Sequence, residues 1–157
     1  MSQSFLKKII NVKEFNEMAE SFQDLLKNDL DELNHCLGLK HDLNLIAKSL
    51  AHESLLLWNF HVWAHFNGEK WDGIFIGLTR KSEKFNKKIM EEYLWMSKNP
   101  KISLKLYETA VSFAKEQKCD FIHMNVIEGF KKSKSLKKFY LKNGFVKDTE
   151  SYMKKLN

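Results

Sequence analysis

The stretch FHVWAHFNGEKWDGIFIGL, residues 60–78, predicts a β-hairpin. Apolar residues occupy every second position of residues 60–66, and this period of two is typical of a strand with one buried face. Asn67-Gly68 follows as a strong short turn signal, although Glu69 and Lys70 can lengthen the turn. The alternation resumes over residues 73–78. We therefore expect an antiparallel sheet in this part of the chain.

A helix and further strands are predicted on the C-terminal side of the hairpin. The polar residues 80–88 lead to a strand over residues 89–96. Asn99-Pro100 then marks a helix start, because Asn caps the first turn and Pro lacks only an amide hydrogen that has no partner there. An apolar stripe continues this helix to about Lys118. The remaining predicted elements are a strand over residues 121–126, a short helix ending at Asn143-Gly144, and strands over residues 145–148 and 151–156.

The N-terminal side is predicted to be helical after a short strand over residues 5–10. Asn11 and Glu14 have the spacing of an N-cap and its capping-box partner, and apolar residues at helical spacing continue to about His52. The order is two helices, three strands, a helix, a strand, a short helix and two strands. It predicts one α/β (α+β) domain with helices on both faces of a mixed sheet. Residues 1–56 form its helical part and residues 57–157 its strand-rich part.

Composition narrows the class of protein. The chain has 157 residues, of which 43% are hydrophobic and 29% charged, an ordinary globular composition of one-domain size. Its net charge is +6, but 25 of the 26 basic residues are lysines and only Arg80 offers a guanidinium, so nucleic-acid binding rests on charge alone and is disfavoured. We expect no membrane helix and no secretion signal. Cys36 and Cys119 make a poor disulfide framework, which favours the reducing cytoplasm.

Residues 139–145, FYLKNGF, resemble the late motif of the GNAT superfamily (Gcn5-related N-acetyltransferases), in which Phe or Leu, Tyr, three residues and Gly-Phe follow one another. The order of predicted elements is similar to that fold, and the detailed resemblance covers about residues 58–156. It implies a mostly antiparallel sheet and N-acyltransferase activity, with direct acyl transfer from acetyl-CoA to an amine in a ternary complex. The acceptor is a small molecule or a peptide. A homodimer is compatible with the resemblance, and no metal is implied.

The resemblance also implies which residues perform the chemistry. Tyr140 lies at the position of the family's general acid, and a phenol with a pKa of about 10 is suited to protonating a departing thiolate. The general base is left open. Glu91 and Glu92 lie on the strand where many members keep a Glu, and alternation puts only one of them on the substrate face. His123, sharing a strand face with Asn125, is the third candidate, because histidine titrates near neutral pH and the pair can hold a deprotonating water.

The expected pyrophosphate site, residues 98–103, departs from the family pattern of Arg or Gln, two residues, Gly, one residue and Gly or Ala. Lys101 and Ser103 replace the small residues, and Pro100 offers no amide hydrogen. The helix start and its lysines still attract anions. The candidate residues for binding the donor are Lys98, Asn99, Lys101, Ile102, Ser103 and Ser133. The alternative is a degenerate GNAT-fold protein without acetyltransferase activity, which acts as a binding or structural module.

His61 and His65 lie two steps apart on one strand face. They have no third ligand nearby in the sequence, and two histidines at i and i+4 suit a metal on a helix rather than on a strand. We therefore expect no metal there. Packing within the sheet is favoured over a role in an acceptor pocket.

Overall fold

The computed structural model describes residues 3–11, 13–18, 21, 59–83, 86–126 and 132–147. These residues belong to two compact units, Met1–Asn125 and Val126–Asn157. The first unit is built on a five-stranded sheet in which the strands are neighbours in chain order. The strands are β1 (Phe5–Ile9), β2 (Phe60–Phe66), β3 (Trp71–Ser82), β4 (Lys87–Ser97) and β5 (Phe121–His123).

The sheet is mixed and mostly antiparallel, as expected. The β1–β2, β2–β3 and β3–β4 pairs are antiparallel, whereas β4 and β5 are parallel. Helix α1 (Pro100–Glu116) joins the parallel pair, since parallel strands need a crossover connection. β1 confirms the short N-terminal strand predicted from the sequence.

The β2–β3 hairpin confirms the prediction from residues 60–78, with the longer of the two turns. The Asn67 N–H donates to the Lys70 carbonyl oxygen at 3.0 Å. The Asn67 Oδ1 accepts hydrogen bonds from the amides of Glu69 and Lys70, each at 3.0 Å. Gly68 has a φ of 101°, a left-handed conformation that costs glycine little. The Asn67 side chain therefore organises the turn.

The polar residues 80–88, predicted as a connection, belong mostly to strands. β3 continues to Ser82 and β4 begins at Lys87, and Arg80 is paired with Ile89 within the ladder. Arg80 is exposed although its backbone is paired. The prediction was wrong because the polar side chains of Arg80, Lys81, Lys87 and Lys88 are exposed while their backbone is paired, so their polarity does not mark a break in the sheet.

One face of the sheet packs on the helical residues 13–18. Phe15 and Met18 join a buried cluster with strand residues Val62, Ala64, Ile74 and Ile76. The Glu14 N–H donates to the Asn11 side-chain oxygen at 2.9 Å, which confirms Asn11 as an N-cap. The helices predicted beyond residue 18 lie outside the described residues, apart from residue 21.

The opposite face of the sheet packs on α1. The Trp95 ring lies between Phe75 and Tyr107 of α1, with centroid distances of 6.4 and 5.7 Å. Gly73 permits this close packing, because a Cβ at Gly73 would lie only 2.9 Å from Ile102 Cγ2. Helical residues therefore cover both faces, as the sequence predicted.

The second unit contains α2 (Ser133–Lys142), which confirms the predicted short helix. Gly144 has a φ of 80° just after the helix, as expected for a C-terminal stop. The Phe145 N–H donates back to the Tyr140 carbonyl oxygen at 3.0 Å, and residues 145–147 form no strand, contrary to the prediction. Residues 148 and 151–156 lie outside the described residues. Within the described ranges, no helix combines the length and apolarity needed to cross a bilayer.

Candidate active site

A β-bulge in β4 sets the directions of the two candidate glutamates. Ile76 is paired with Leu94 and Gly77 with Glu92, so Tyr93 is the extra residue on β4. Directly opposite residues of an antiparallel pair share a face. Glu92 therefore points to the α1 side of the sheet, and Glu91 points to the other side. This arrangement agrees with the expectation that only one of the two faces a given substrate.

Glu92 lies where the pairing between β4 and β5 ends. The parallel ladder finishes with Glu91 beside His123. Beyond it, the Asn125 N–H donates to Glu92 Oε2 at 2.9 Å, and Asn125 Nδ2 donates to the Glu92 carbonyl oxygen at 2.8 Å. These two bonds replace strand pairing, which is why β5 is shorter than the predicted 121–126. They also fix the Glu92 carboxylate between the two strands.

Burial raises the pKa of Glu92 from 4.5 to about 7, and the Asn125 N–H opposes this change only in part. At neutral pH, a carboxyl group with this pKa is present in similar amounts as the protonated acid and as the carboxylate. General bases are most effective when their pKa is close to the working pH. Glu92 can therefore accept and release a proton under physiological conditions, which an ordinary surface glutamate does less readily.

Glu91 and His123 are brought together on the opposite face. Arg80 Nε donates to Glu91 Oε2 at 2.7 Å, and His123 Nδ1 lies 3.5 Å from Glu91 Oε1. The Glu91 charge is thus shared with two basic side chains. His123 and Asn125, predicted to share a strand face, serve different glutamates because β5 ends at His123.

The N-cap residue of α1 occupies hydrogen-bonding groups at the start of the helix. Asn99 is the N-cap, and its Oδ1 accepts from the Lys101 N–H at 3.0 Å. The Asn99 carbonyl oxygen accepts from the Ser103 N–H at 2.9 Å, which begins the regular helix. Pro100 has no N–H to offer. Three of the backbone positions that usually attract anions at a helix start therefore offer no donor, because the Lys101 amide is bonded to Asn99, the Asn99 amide donates to Ser97 Oγ at 3.1 Å, and Pro100 has no N–H.

The remaining residues of this stretch hold α1 on the sheet or face solvent. Ile102 lies over Gly73, and the Ser103 carbonyl oxygen accepts from Trp95 Nε1 at 3.1 Å. Lys98 and Lys101 are exposed, and the first turn contains no acidic residue. The exposed lysine side chains therefore give this helix start a positive charge that suits the pyrophosphate of an acyl-CoA. Its backbone offers the phosphates fewer N–H donors than a helix start usually does.

Ser133 and Tyr140 are both on α2 in the second unit. Ser133 is buried at the first position of the helix. Tyr140 is buried as well, with its ring centroid 5.9 Å from Phe139 and 5.1 Å from Phe145. The tyrosine is thus held rigidly by aromatic neighbours within its own unit.

The two histidines of β2 have separate partners. His61 Nε2 is 3.0 Å from Thr79 Oγ1, and burial, together with the charges of Lys8 and Lys88, lowers the pKa of His61 to about 4. His65 is bonded to Asp72 and Ser4, two residues that the sequence interpretation did not consider. In the described part of the chain, no three His, Cys, Asp or Glu side chains lie close enough to hold a metal ion.

A shallow cavity of about 350 Å³ lies along α1, away from Glu92. Its lining residues are Trp63, Lys105, Glu108, Thr109, Ser112, Phe113 and Glu116. Lys8 Nζ lies 4.3 Å from the centre of the Phe113 ring at this position. Because none of the predicted site residues lines the cavity, we do not assign it to the candidate site.

No protein-family model and no curated protein matches this sequence. Solved structures do match. An aminoglycoside acetyltransferase from an uncultured soil metagenomic sample is 11% identical over 100% of both chains, with a TM-score of 0.70. A ribosomal-protein-alanine N-acetyltransferase from Brucella melitensis biovar Abortus is 13% identical over 98% of this chain and 99% of its own, with a TM-score of 0.68.

A GNAT family acetyltransferase from Staphylococcus aureus is 16% identical over 99% of this chain and 100% of its own, with a TM-score of 0.63. Identities this low establish the fold and not the activity. The alignments nevertheless extend over almost the whole chain. The chain therefore has the GNAT fold, as the resemblance of residues 139–145 implied.

Proposed function

We propose that the protein is an acyl-CoA-dependent N-acyltransferase, with acetyl-CoA as donor and a primary amine as acceptor, acting in the cytoplasm. The observation that carries the proposal is the Glu92 carboxyl group at the end of the β4–β5 pairing, with its pKa raised to about 7. A titratable group held near neutrality by burial is a frequent feature of catalytic sites. It occurs here in a fold shared with several N-acetyltransferases.

In the proposed reaction Glu92 acts as the general base. It accepts a proton from the acceptor's ammonium group, and the free amine nitrogen attacks the thioester carbonyl carbon directly in a ternary complex. The tetrahedral intermediate then expels the CoA thiolate and leaves an amide. The Asn125 N–H holds Glu92 Oε2, so Oε1 is the atom assigned to receive the proton. Tyr140 protonates the thiolate in this scheme, a role assigned to it by the family resemblance.

Binding of the donor is assigned mainly to lysine side chains. Lys98 and Lys101 supply positive charge at the start of α1. Asn99, Ile102 and Ser103 shape the turn through the cap and the contacts with Gly73 and Trp95. Lysine acts on phosphate as a flexible point charge and gives less geometric definition than a backbone cradle. We therefore expect weaker and more salt-sensitive binding of acetyl-CoA than a glycine-rich loop would provide.

The proposal is tested first by calorimetric titration with acetyl-CoA, with desulfo-CoA and ATP as comparison ligands. Binding of both CoA compounds in preference to ATP supports a donor site. An amine panel comprising a polyamine, an aminoglycoside and a peptide with a free N-terminus is then assayed for release of CoA thiol. Tyr140→Phe should bind acetyl-CoA like the wild type and transfer the acetyl group more slowly. Absence of binding at millimolar acetyl-CoA would contradict the proposal.

The second candidate function is a GNAT-fold binding module without acetyltransferase activity. It is favoured by the Asn99 side chain, which occupies the Lys101 amide, and by Pro100, which has none to offer. In this alternative, the start of α1 stabilises the fold and does not bind acetyl-CoA. The same titration distinguishes the two, because a binding module that has lost its donor site gives no heat with acetyl-CoA.

A further inference from the structure

A chain of two hydrogen bonds links a serine, a histidine and an aspartate at the end of the sheet where β1 begins. Ser4 Oγ lies 3.1 Å from His65 Nε2. On the other side of the ring, His65 Nδ1 lies 2.5 Å from Asp72 Oδ1. His65 is only 4% exposed, whereas Ser4 is exposed. The arrangement joins an accessible hydroxyl to a fixed imidazole and a carboxylate.

The sheet itself brings the three residues together. His65 is paired with Leu6 of β1 and with Gly73 of β3. A register shift follows, because Phe66 is paired with Trp71, and Asp72 is therefore the extra residue on β3. An unpaired strand residue can turn its side chain sideways, and here it reaches the imidazole.

Neighbouring contacts fix two of the three members. The Asp72 carbonyl oxygen accepts from Ser97 Oγ at 3.0 Å, which holds the backbone of the bulge. Ser4 directly precedes β1, whose ladder with β2 begins at Phe5 and Phe66. Backbone pairing on both sides therefore positions His65, while Asp72 is the unpaired bulge residue beside it and Ser4 directly precedes the β1 ladder.

The proton positions follow from the donor and acceptor chemistry. An ionised carboxylate only accepts hydrogen bonds, so the Asp72 contact requires the proton of neutral His65 to be on Nδ1. In this neutral form Nε2 carries a lone pair and accepts from the Ser4 hydroxyl, whereas in the imidazolium form both ring nitrogens donate. The neutral form is the tautomer that allows an imidazole to act as a base toward a serine hydroxyl. Asp72 would also stabilise the imidazolium formed after proton transfer.

We propose that Ser4 is an activated nucleophile that takes acyl groups from small activated esters and thioesters. Ser4 Oγ attacks the carbonyl carbon while its proton passes to His65 Nε2. The intermediate collapses, the bond to the leaving alkoxide or thiolate breaks, and the leaving group takes that proton. The products are an ester on Ser4 and a free alcohol or thiol. Water, deprotonated by His65, then releases the carboxylic acid and restores Ser4.

Because Ser4 is exposed, the site discriminates little among small acyl groups. The inference does not depend on acetyl-CoA binding or on Glu92. Its test uses no CoA compound, so its failure and the failure of the N-acyltransferase proposal are separate results.

The test is covalent labelling with a fluorophosphonate ester, which forms a P–O bond to an activated serine and expels fluoride. Peptide mass spectrometry should locate the label on Ser4, with a stoichiometry near one per chain. Ser4→Ala should abolish it, and Asp72→Asn should slow it by about 100-fold or more, since the wrong tautomer is then favoured. Ser112→Ala, which removes another exposed serine, is the matched control and should label like the wild type.

A second measurement covers the possibility that Asp72→Asn unfolds. The wild type is treated with p-nitrophenyl acetate, and the Ser4 peptide is examined for an acetyl group that hydroxylamine removes, since esters react with hydroxylamine and lysine amides do not. A hydroxylamine-sensitive acetyl group on Ser4, absent in a folded His65→Gln variant, supports the proposal. Labelling of Ser4 no faster than of Ser112, or unchanged labelling in a folded Asp72→Asn or His65→Gln variant, would overturn it.

Discussion

The GNAT resemblance places chemistry at two positions, the end of the β4–β5 pairing and the start of α1. They differ in their polar groups, because the first has a carboxyl group with a shifted pKa and the second has a backbone amide with a satisfied hydrogen bond. At the first position desolvation of a half-buried carboxyl group raises its pKa to about 7. At the second, the Asn99 side chain satisfies the Lys101 amide and α1 is capped. A titratable group whose pKa is strongly shifted is typical of a functional site, whereas a backbone amide with a satisfied hydrogen bond is typical of a stable fold.

The two regions also differ in their effect on folding. Asn99 stabilises the protein, and an N-cap of this kind contributes about 1 kcal/mol. Glu92 destabilises it above neutral pH, because the folded state then holds a carboxylate that burial disfavours. On the proposed function, the first region is arranged for proton transfer, whereas the second mainly holds α1 on the sheet.

The largest expected effect is on acyl transfer. Glu92→Gln keeps the size of the side chain but removes the base, so the amine-dependent release of CoA should fall by roughly 100- to 10,000-fold. Glu91→Gln alters the ion pairs on the other face and should have a much smaller effect. Glu69→Gln, in the exposed hairpin turn, controls for the loss of one negative charge. A larger loss of transfer activity in Glu91→Gln than in Glu92→Gln would contradict Glu92 as the general base, because it would place the base on the other face of the sheet.

The next effect is on the pH dependence of stability, measured by urea unfolding. The folded-state pKa of Glu92 is raised from 4.5 to about 7, so its contribution to stability is lost as the pH rises through that range. His61 behaves oppositely, because its pKa is lowered from 6.5 to about 4 and its contribution is lost as the pH falls. The Glu92 contribution amounts to at most about 3 kcal/mol, and the His61 contribution is smaller, because His61 is partly exposed and solvent screens its charge.

These two contributions oppose each other between pH values of about 4.5 and 6.5. Glu92→Gln should therefore make the free energy of unfolding rise with pH in this window, relative to the wild type. His61→Gln should make it fall. Parallel pH profiles in the wild type and both variants would show that neither group is buried as described.

A smaller effect is expected where α1 contacts the sheet. Gly73→Ala places a methyl group 2.9 Å from Ile102 Cγ2, so the helix must shift and the free energy of unfolding should fall by about 1–3 kcal/mol. Ile102→Ala in the Gly73→Ala background removes that contact atom. The double variant should be more stable than the sum of the two single effects predicts. Strict additivity would mean that the two residues do not touch.

The smallest effect concerns the cap itself. Asn99→Gly keeps a favourable N-cap residue but frees the Lys101 amide, and acetyl-CoA affinity should rise by roughly 5- to 10-fold, the value of one ordinary hydrogen bond of about 1 kcal/mol. Asn99→Asp keeps the cap and adds a negative charge, so affinity should fall. Titration calorimetry measures both. Equal affinities in the two variants would mean that the start of α1 does not contact the donor.

Local sequence signals predicted the parts of the fold that depend on neighbouring residues. Asn67-Gly68, Asn99-Pro100 and Asn143-Gly144 each marked a real turn or helix boundary, because a side chain or a positive φ acts within a few residues there. The bulge at Tyr93 had no such signal, since it depends on the register between β3 and β4. The pKa of Glu92 was unpredictable for the same reason, because its burial comes from the fold.

The link between Ser4 and His65 spans 61 positions in the sequence and depends on the pairing of β1 with β2. The exposed ends of β3 and β4 were misread as a connection, because residues 80–88 are polar whether or not their backbone is paired. Pairing between strands, which the local pattern of polarity does not encode, therefore explains both the missed link between Ser4 and His65 and the wrong prediction for residues 80–88.

The most direct test of the central claim is the pH dependence of the transfer rate at saturating acetyl-CoA and acceptor, with an amine whose own pKa lies far above the range studied. If Glu92 is the general base, the rate should rise with pH and be half-maximal near 7, the pKa of Glu92. The same profile in Glu92→Gln should be flat and low. A wild-type rate independent of pH around neutrality, or an unchanged profile in Glu92→Gln, would contradict the assignment of Glu92 as the general base.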